Sequence, residues 1–172
     1  MNFHSPRKKN LLHKWQSKAA ATALAMALNV VPAIGTDTDA EIIAQEALEQ
    51  KNLEKAVYCM KVLEVDLDVD RFGRECVADV HIEHAPHVPD GKEGLLQYFA
   101  RALERMPQMH GDIKRAGADG DLVWMHIHFK PTPSSTGNAG MHIFRMEDGK
   151  FAEHWGVSRP VVKSELHDNS PF

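Results

Sequence analysis

Leu122 to Lys130 reads LVWMHIHFK, Gly140 to Glu147 reads GMHIFRME, and Phe151 to Arg159 reads FAEHWGVSR. Val123, Met125, Ile127 and Phe129 recur at every second position, with Trp124, His126 and His128 between them. A two-residue period is that of a strand, whose side chains alternate between faces. Asp148-Gly149 sits between the last two stretches as a tight hairpin turn. Ala118-Asp119-Gly120-Asp121 forms a turn before the first, and Pro131 to Gly137 is a polar loop. From Asp112 onward we therefore expect three strands in an antiparallel meander.

Upstream the period changes. Ile42, Ile43, Ala47, Leu48, Leu53, Val57, Met60 and Leu63 recur at three- and four-residue steps, which predicts a helix over 37–64, with Asn52 as the position of a break. A second helical piece is expected from Val69 to Val80. His81 to Gly91, with Pro86, Pro89 and Asp90-Gly91, reads as a loop. Asp90 and Glu93 have capping-box spacing and open a helix striped by Leu95, Phe99, Ala102, Leu103 and Met106, which Pro107 ends. Helices first and antiparallel strands after them predict an α+β fold. There is no internal repeat.

The 172 residues are 43% apolar and 26% charged, as expected of one globular domain. That composition excludes a collagen, a disordered acidic tail and a multispan membrane protein. All 24 Asp and Glu lie beyond residue 18, with 15 of the 20 Lys and Arg. No basic patch follows, so nucleic acid is not an expected partner. Without a Gly-x-Ser-x-Gly elbow, P-loop or dinucleotide fingerprint, a serine hydrolase, nucleotide enzyme or NAD enzyme has no support.

The first 18 residues carry Arg7, Lys8, Lys9, Lys14 and Lys18, and Ala19 to Gly35 is an apolar, Ala-rich run. The run is short for a membrane span, which needs about 20 residues. A basic stretch before an apolar one reads as a signal peptide over 1–35, cleaved near Ala33, with Val31 and Ala33 as the small residues. The expectation is a periplasmic or secreted domain over 36–172 with no membrane association after cleavage. The alternative is an uncleaved amphipathic helix or a start codon placed too early. Cys59 and Cys76 either pair in an oxidising compartment or stay buried as free thiols.

Nine histidines remain after the signal region, and seven cluster: His81, His84 and His87 in the loop, His126 and His128 in one strand, His142 in the next, His154 in the last. Antiparallel neighbours could gather His126 or His128 with His142 and His154. Three readings are open. The His face is solvent-exposed, or it lines a cavity where imidazoles act as acid and base near neutral pH, or it ligates a metal. No fixed metal motif such as His-Glu-x-x-His is present, so no metal ligand is assigned.

Four motifs carry a family resemblance. HIEHAPHVPDGKE, His81 to Glu93, resembles the YIQHNPHVPDGKE segment of SnoaL-like proteins. GMHIFRMEDGK, Gly140 to Lys150, resembles their GIDIFRxEDGK, and EHWGV, Glu153 to Val157, their EHWDV. HDNSPF, His167 to Phe172, is similar to the NDNxMF tail of a subgroup named for a predicted aldol condensation. The resemblance runs from Glu41 to Phe172.

It implies a nuclear-transport-factor-2-like fold: a cone of curved antiparallel sheet closed by N-terminal helices around a pocket, often a homodimer. It implies that the His face is the concave one, while Val123, Met125, Ile127 and Phe129 pack on a helix or a partner. It also implies cofactor-free acid/base chemistry, as in cyclases that close a ring by an aldol reaction. Here His142 stands where relatives often carry Asp, Gly156 replaces a second Asp, and Arg159 replaces a Gln. At least two pocket carboxylates are missing, and Gly156 opens space for a larger ligand.

The resulting expectation is an exported protein acting as cyclase, lyase or isomerase on a small carbonyl compound. His142 is the expected base, with His154 and His84 as donors or orienters. His87, Trp124, His126, His128, Phe144 and Trp155 are the expected binding residues. The alternatives are a non-catalytic pocket for an apolar small molecule, or a His-ligated metal site.

Overall fold

The computed structural model describes residues 38–172; the expected signal peptide lies outside them. The elements are α1 (Asp39–Glu64), α2 (Val69–Glu75), β1 (Val77–Glu83), α3 (Gly91–Arg105), β2 (His110–Asp119), β3 (Leu122–Lys130), β4 (Asn138–Glu147) and β5 (Lys150–Pro160). The strands form one open sheet in the order β1-β5-β4-β3-β2. Strands β2 to β5 form the expected antiparallel meander, with four strands in place of the three expected. β1 joins the free edge of β5 in parallel, so the sheet is mixed. Among the described residues no helix is long and apolar enough to cross a membrane.

α1 starts with a capping box at Thr38 and Glu41, which satisfies backbone donors the first turn would leave unpaired. It runs unbroken through Asn52. That side chain is buried and donates to the Gly120 carbonyl at 3.0 Å, while Glu49 accepts from the Gly120 N–H at 2.9 Å. Asn52 thus ties the helix to the β2–β3 turn instead of ending it. Ile42, Ile43 and Leu48, expected in the stripe, are exposed; the buried part of α1 begins at Asn52.

Two further expectations are corrected. Helix α2 ends at Glu75, and Val77 to Val80 belongs to β1, as do His81 to Glu83. Inside this strand the usual pattern is inverted: His81 and the Glu83 side chain are buried, while Val80 is 77% exposed and Ile82 40%. A hydrophobicity pattern cannot reveal a strand that turns its polar residues inward. Asp90 occupies the N-cap of α3 without capping it; its Oδ1 accepts from the Glu83 N–H at 2.9 Å and fixes the end of β1.

The helices cover one face of the sheet. Val123, Met125, Ile127, Phe144, Met146 and Phe151 meet Ala56, Val62 and Leu63 of α1, Phe72 of α2 and Leu95 of α3 in one core. Register shifts within β1–β5, β2–β3 and β4–β5 mark bulges, which bend strands. The β4–β5 hairpin turns at Asp148-Gly149, both with positive φ, as a two-residue primed turn requires.

Cys59 in α1 and Cys76, just before β1, are disulfide-bonded, with Cα atoms 5.5 Å apart. The bond spans 17 residues and closes α1 and α2 into one loop. Closing a loop of that size stabilises by about 3 kcal/mol, mostly by restricting the unfolded chain. The Cys59→Ala/Cys76→Ala variant is expected to melt about 10 °C lower in a calorimetric scan. An unchanged melting temperature would show that the core alone holds α1 against β1.

Candidate functional site

In an antiparallel pair, residues directly opposite each other share a face. His142 lies opposite Met125 on one side and Gly156 on the other; Phe144 lies opposite Val123 and His154. His142, Phe144 and His154 therefore share the helix-covered face with Val123, Met125 and Ile127. Trp124, His126 and His128 lie opposite Ile143, Met141 and Ala139 on the outer face. The expectation that the His126/His128 face is the concave one is thus overturned. Each strand's alternation was legible, but not which of its two faces its neighbour would match.

On the inner face three side chains form a hydrogen-bonded line. Glu83 and His154 are register partners on β1 and β5. His154 Nδ1 lies 2.8 and 2.9 Å from the two Glu83 carboxylate oxygens. His154 Nε2 lies 3.0 Å from His142 Nδ1. Glu83 Oε1 also accepts the Ala85 N–H at 2.8 Å, and His81 Nε2 stands 3.6 Å from Oε2. His81 itself is positioned by Nδ1 against the Phe151 carbonyl at 3.1 Å.

Electrostatics assign a proton pattern to this line. Burial pushes the Glu83 carboxyl up, but the hydrogen bonds from His154 and the Ala85 N–H, with the His81 imidazole close by, outweigh it and hold the group at about 2. Glu83 is therefore an acceptor only. Burial, with the neighbouring His154, lowers His142 to about 4, so its imidazole is neutral at pH 7. In the tautomer in which His154 Nδ1–H donates to Glu83 and His142 Nδ1–H donates to His154, the His142 Nε2 lone pair faces the cavity free.

Two glycines make room for the pair. A Cβ at Gly140 would stand 2.6 Å from His142 Nε2; one at Gly156 would stand 3.0 Å from His142 Nδ1 and from His154 Nε2. The space expected at Gly156 for a larger ligand is thus filled by the two imidazoles. Phe144 stacks on His154 at 4.9 Å and on Phe151 at 4.2 Å, which fixes the His154 ring from below.

His142, His154 and Glu83 line a cavity of about 250 Å³ between sheet and helices, whose wall is mostly apolar. Phe144 and His87 also line it; His87 is exposed and meets the Tyr98 ring edge-on at 6.0 Å. The other expected residues lie elsewhere. His84 is on the outer face, 2.9 Å from Glu153 and stacked on Trp155 at 4.9 Å. Trp124 packs over Gly117. His126 and His128 lie against the ring of Phe172, and His128 bonds the Thr136 carbonyl at 2.8 Å. The four histidines His126, His128, His142 and His154 cannot converge on one metal ion. Among the described residues no group of three or more His, Cys, Asp or Glu is arranged to hold one.

Two acidic groups were missed. Glu83 carried a signal, since it stands where the SnoaL-like segment has Gln. Glu64, the last residue of α1, carried none; it sits one position beyond the apolar stripe and turns into the cavity. Its Oε2 is sealed from solvent without a hydrogen-bond partner, although the residue as a whole is only half-buried.

Residues 64–154 match the SnoaL-like domain, and the chain belongs to that family. No curated protein matches it. Solved structures with the same fold include TsrD from Streptomyces laurentii, at 20% identity over 64% of this chain and 90% of that one, TM-score 0.54. A candidate polyketide cyclase from Bacillus cereus ATCC 10987 has 20% identity over 63% and 74%, TM-score 0.54. A SnoaL-like protein of unknown function from Burkholderia thailandensis E264 has 17% over 65% and 98%, TM-score 0.56. The fold is the nuclear-transport-factor-2-like one that the motifs implied.

Glu64 supplies a test that needs no substrate. Burial raises its carboxyl to about 7 from an ordinary 4.5. The folded state thus binds this proton more tightly than the unfolded chain. That stabilisation is full below about pH 4.5 and is lost as pH rises through 7. Glu64→Gln keeps the shape and removes the titration. In urea unfolding the variant should gain on the parent by up to about 3 kcal/mol between pH 5 and pH 8. A difference that stays constant with pH would refute the raised value.

Proposed function

We propose that this chain is an acid/base catalyst of cyclase, lyase or isomerase type acting on a small carbonyl compound, with His142 as the base and no cofactor in the step. The observation that carries this reading is the hydrogen-bonded line Glu83–His154–His142, which ends at the His142 imidazole on the wall of a mostly apolar cavity. SnoaL-like membership and neighbours named as polyketide cyclases agree with it.

The line works as a relay. His142 Nε2 takes the proton alpha to the carbonyl, and its Nδ1 proton passes to His154 Nε2. The positive charge then lies on His154, against the ionised Glu83, rather than on His142, whose burial opposes it. In that state His142 Nε2–H is a donor and returns the proton to carbon or to the oxygen. One atom is thus a base before the transfer and an acid after it. A positioned acid/base group of this kind contributes about 10² to 10⁴ in rate.

Exchange of the methyl protons of acetophenone in D2O, followed by NMR, tests the reading. His142→Ala is expected to lower the exchange rate by about 10²-fold or more. Glu83→Gln should lower it too, since the amide carries no charge to balance the His154 imidazolium. Exchange by the parent protein no faster than in buffer would favour the non-catalytic binding pocket.

Export and assembly belong to the same proposal. The Cys59–Cys76 disulfide supports a periplasmic or secreted location, since such bonds persist in oxidising compartments. A homodimer is supported by the outer face, where Trp124, Ile143, Met141 and Val157 lie on paired strands and are 40%, 42%, 44% and 73% exposed. A patch of this kind on a sheet marks an interaction surface. Sedimentation is expected to give a dimer, and Met141→Asp/Ile143→Asp a monomer with an unchanged circular dichroism spectrum. A monomeric parent would overturn the assembly.

A further inference from the structure

The cavity holds a polar group that the relay does not use. Glu64 Oε2 is sealed from solvent and has no partner. An unpaired buried oxygen is costly, and native structures keep few of them without a reason such as a missing ligand. The carboxyl rests on the backbone of Gly111 in β2: a Cβ there would meet Oε2 at 1.6 Å and Cδ at 2.4 Å. Only glycine at 111 leaves Glu64 this seat. Of the neighbours that share the cavity wall, Met60, Leu63 and Phe129 offer no side-chain hydrogen bond, and the Asn138 amide makes none to Oε2.

The register places Glu64 relative to the relay. Gly111 pairs with Phe129, which pairs with Asn138, four residues along β4 from His142. His142 Nε2 leans over Gly140, toward that same end of the strand. Gly140 and Asn138 are two residues apart, about 7 Å along the strand, and β2 lies two strand spacings, about 10 Å, from β4, so the two seats are about 12 Å apart. One ring with an oxygen at its far side and a contact of about 3 Å at each end spans that distance.

We propose that Glu64 is a second anchoring site of the cavity, so that the ligand class is a small, largely apolar compound with two oxygen functions: a carbonyl whose α C–H meets His142 Nε2, and a hydroxyl or second carbonyl for Glu64. This rests on the proposed base only for the first oxygen. A carboxyl suits the second in either protonation state: as the acid it donates to a carbonyl, and as the carboxylate it accepts from a hydroxyl. Burial, which raises the group to about 7, keeps both states accessible near neutral pH.

The probes are acetophenone and 4′-hydroxyacetophenone, whose second oxygen lies across one ring from the first. Calorimetric titration of the full protein is expected to show the hydroxy compound bound about ten-fold more tightly, the worth of one good hydrogen bond to a buried acid. In Glu64→Leu the preference should vanish. Gly111→Ala, which displaces the carboxyl without altering it, should do the same and covers the case in which the Leu variant does not fold. Equal binding of the two probes by the parent, or no binding of either, overturns the anchor, as does a preference that survives in both variants. Absent exchange with the preference intact overturns the His142 base and leaves the anchor standing.

Discussion

The Glu83 carboxylate must be paired, and the inner face of the structure is arranged around that need. Its side chain has no exposed surface. A buried charge is tolerated only with a partner and hydrogen bonds to its remaining lone pairs. His154 and the Ala85 N–H supply them, and Asp90 holds the Glu83 backbone from the other side. Satisfying Glu83 requires β1 to lie beside β5, because only that strand brings His154 into register. The parallel edge and its inverted pattern are the same constraint seen from the backbone.

The departures from the family motifs also make sense together. His142 stands where relatives often carry Asp, Gly156 replaces a second Asp, and Glu83 stands where they have Gln. These are one coordinated change rather than three losses. An imidazole at 142 meets His154 most easily when position 156 carries no side chain, since a Cβ there would press on both rings at 3.0 Å. The carboxylate missing from the strands is supplied from β1. The acidic group stands at the far end of the line, where it supports His154.

Much of this fold was legible in the sequence. The period of α3, the two-residue alternation in β3, β4 and β5 and the Asp148-Gly149 turn each follow from local chemistry. β1 was not legible, because a strand with buried His81 and Glu83 and exposed Val80 resembles a loop by every hydrophobic measure. The site was half legible. Clustering singled out His142 and His154, but it could not separate them from His126 and His128, which differ only in facing the other side of the sheet. That distinction is set by the pairing of Met125 with His142, a long-range property. Asn52 misled for a related reason: alone it is a weak helix former, but in the fold it is a tether to Gly120.

That tether makes α1 a ruler. Glu49 and Asn52, near its middle, hold it against the Gly120 turn, Cys59 is disulfide-bonded farther on, and Glu64 lies at its C-terminal end on Gly111. Gly120 directly follows β2 and Gly111 is its second residue, so the second half of the helix runs along the strand and is pinned at both ends. From Asn52 to Glu64 is twelve steps of 1.5 Å, about 18 Å. Adding one residue within that span would turn everything beyond it by about 100° and carry the Glu64 carboxyl out of the cavity, with the sheet and its imidazole pair untouched. Helix length between two glycines, rather than any contact inside the cavity, determines whether a carboxyl is present there.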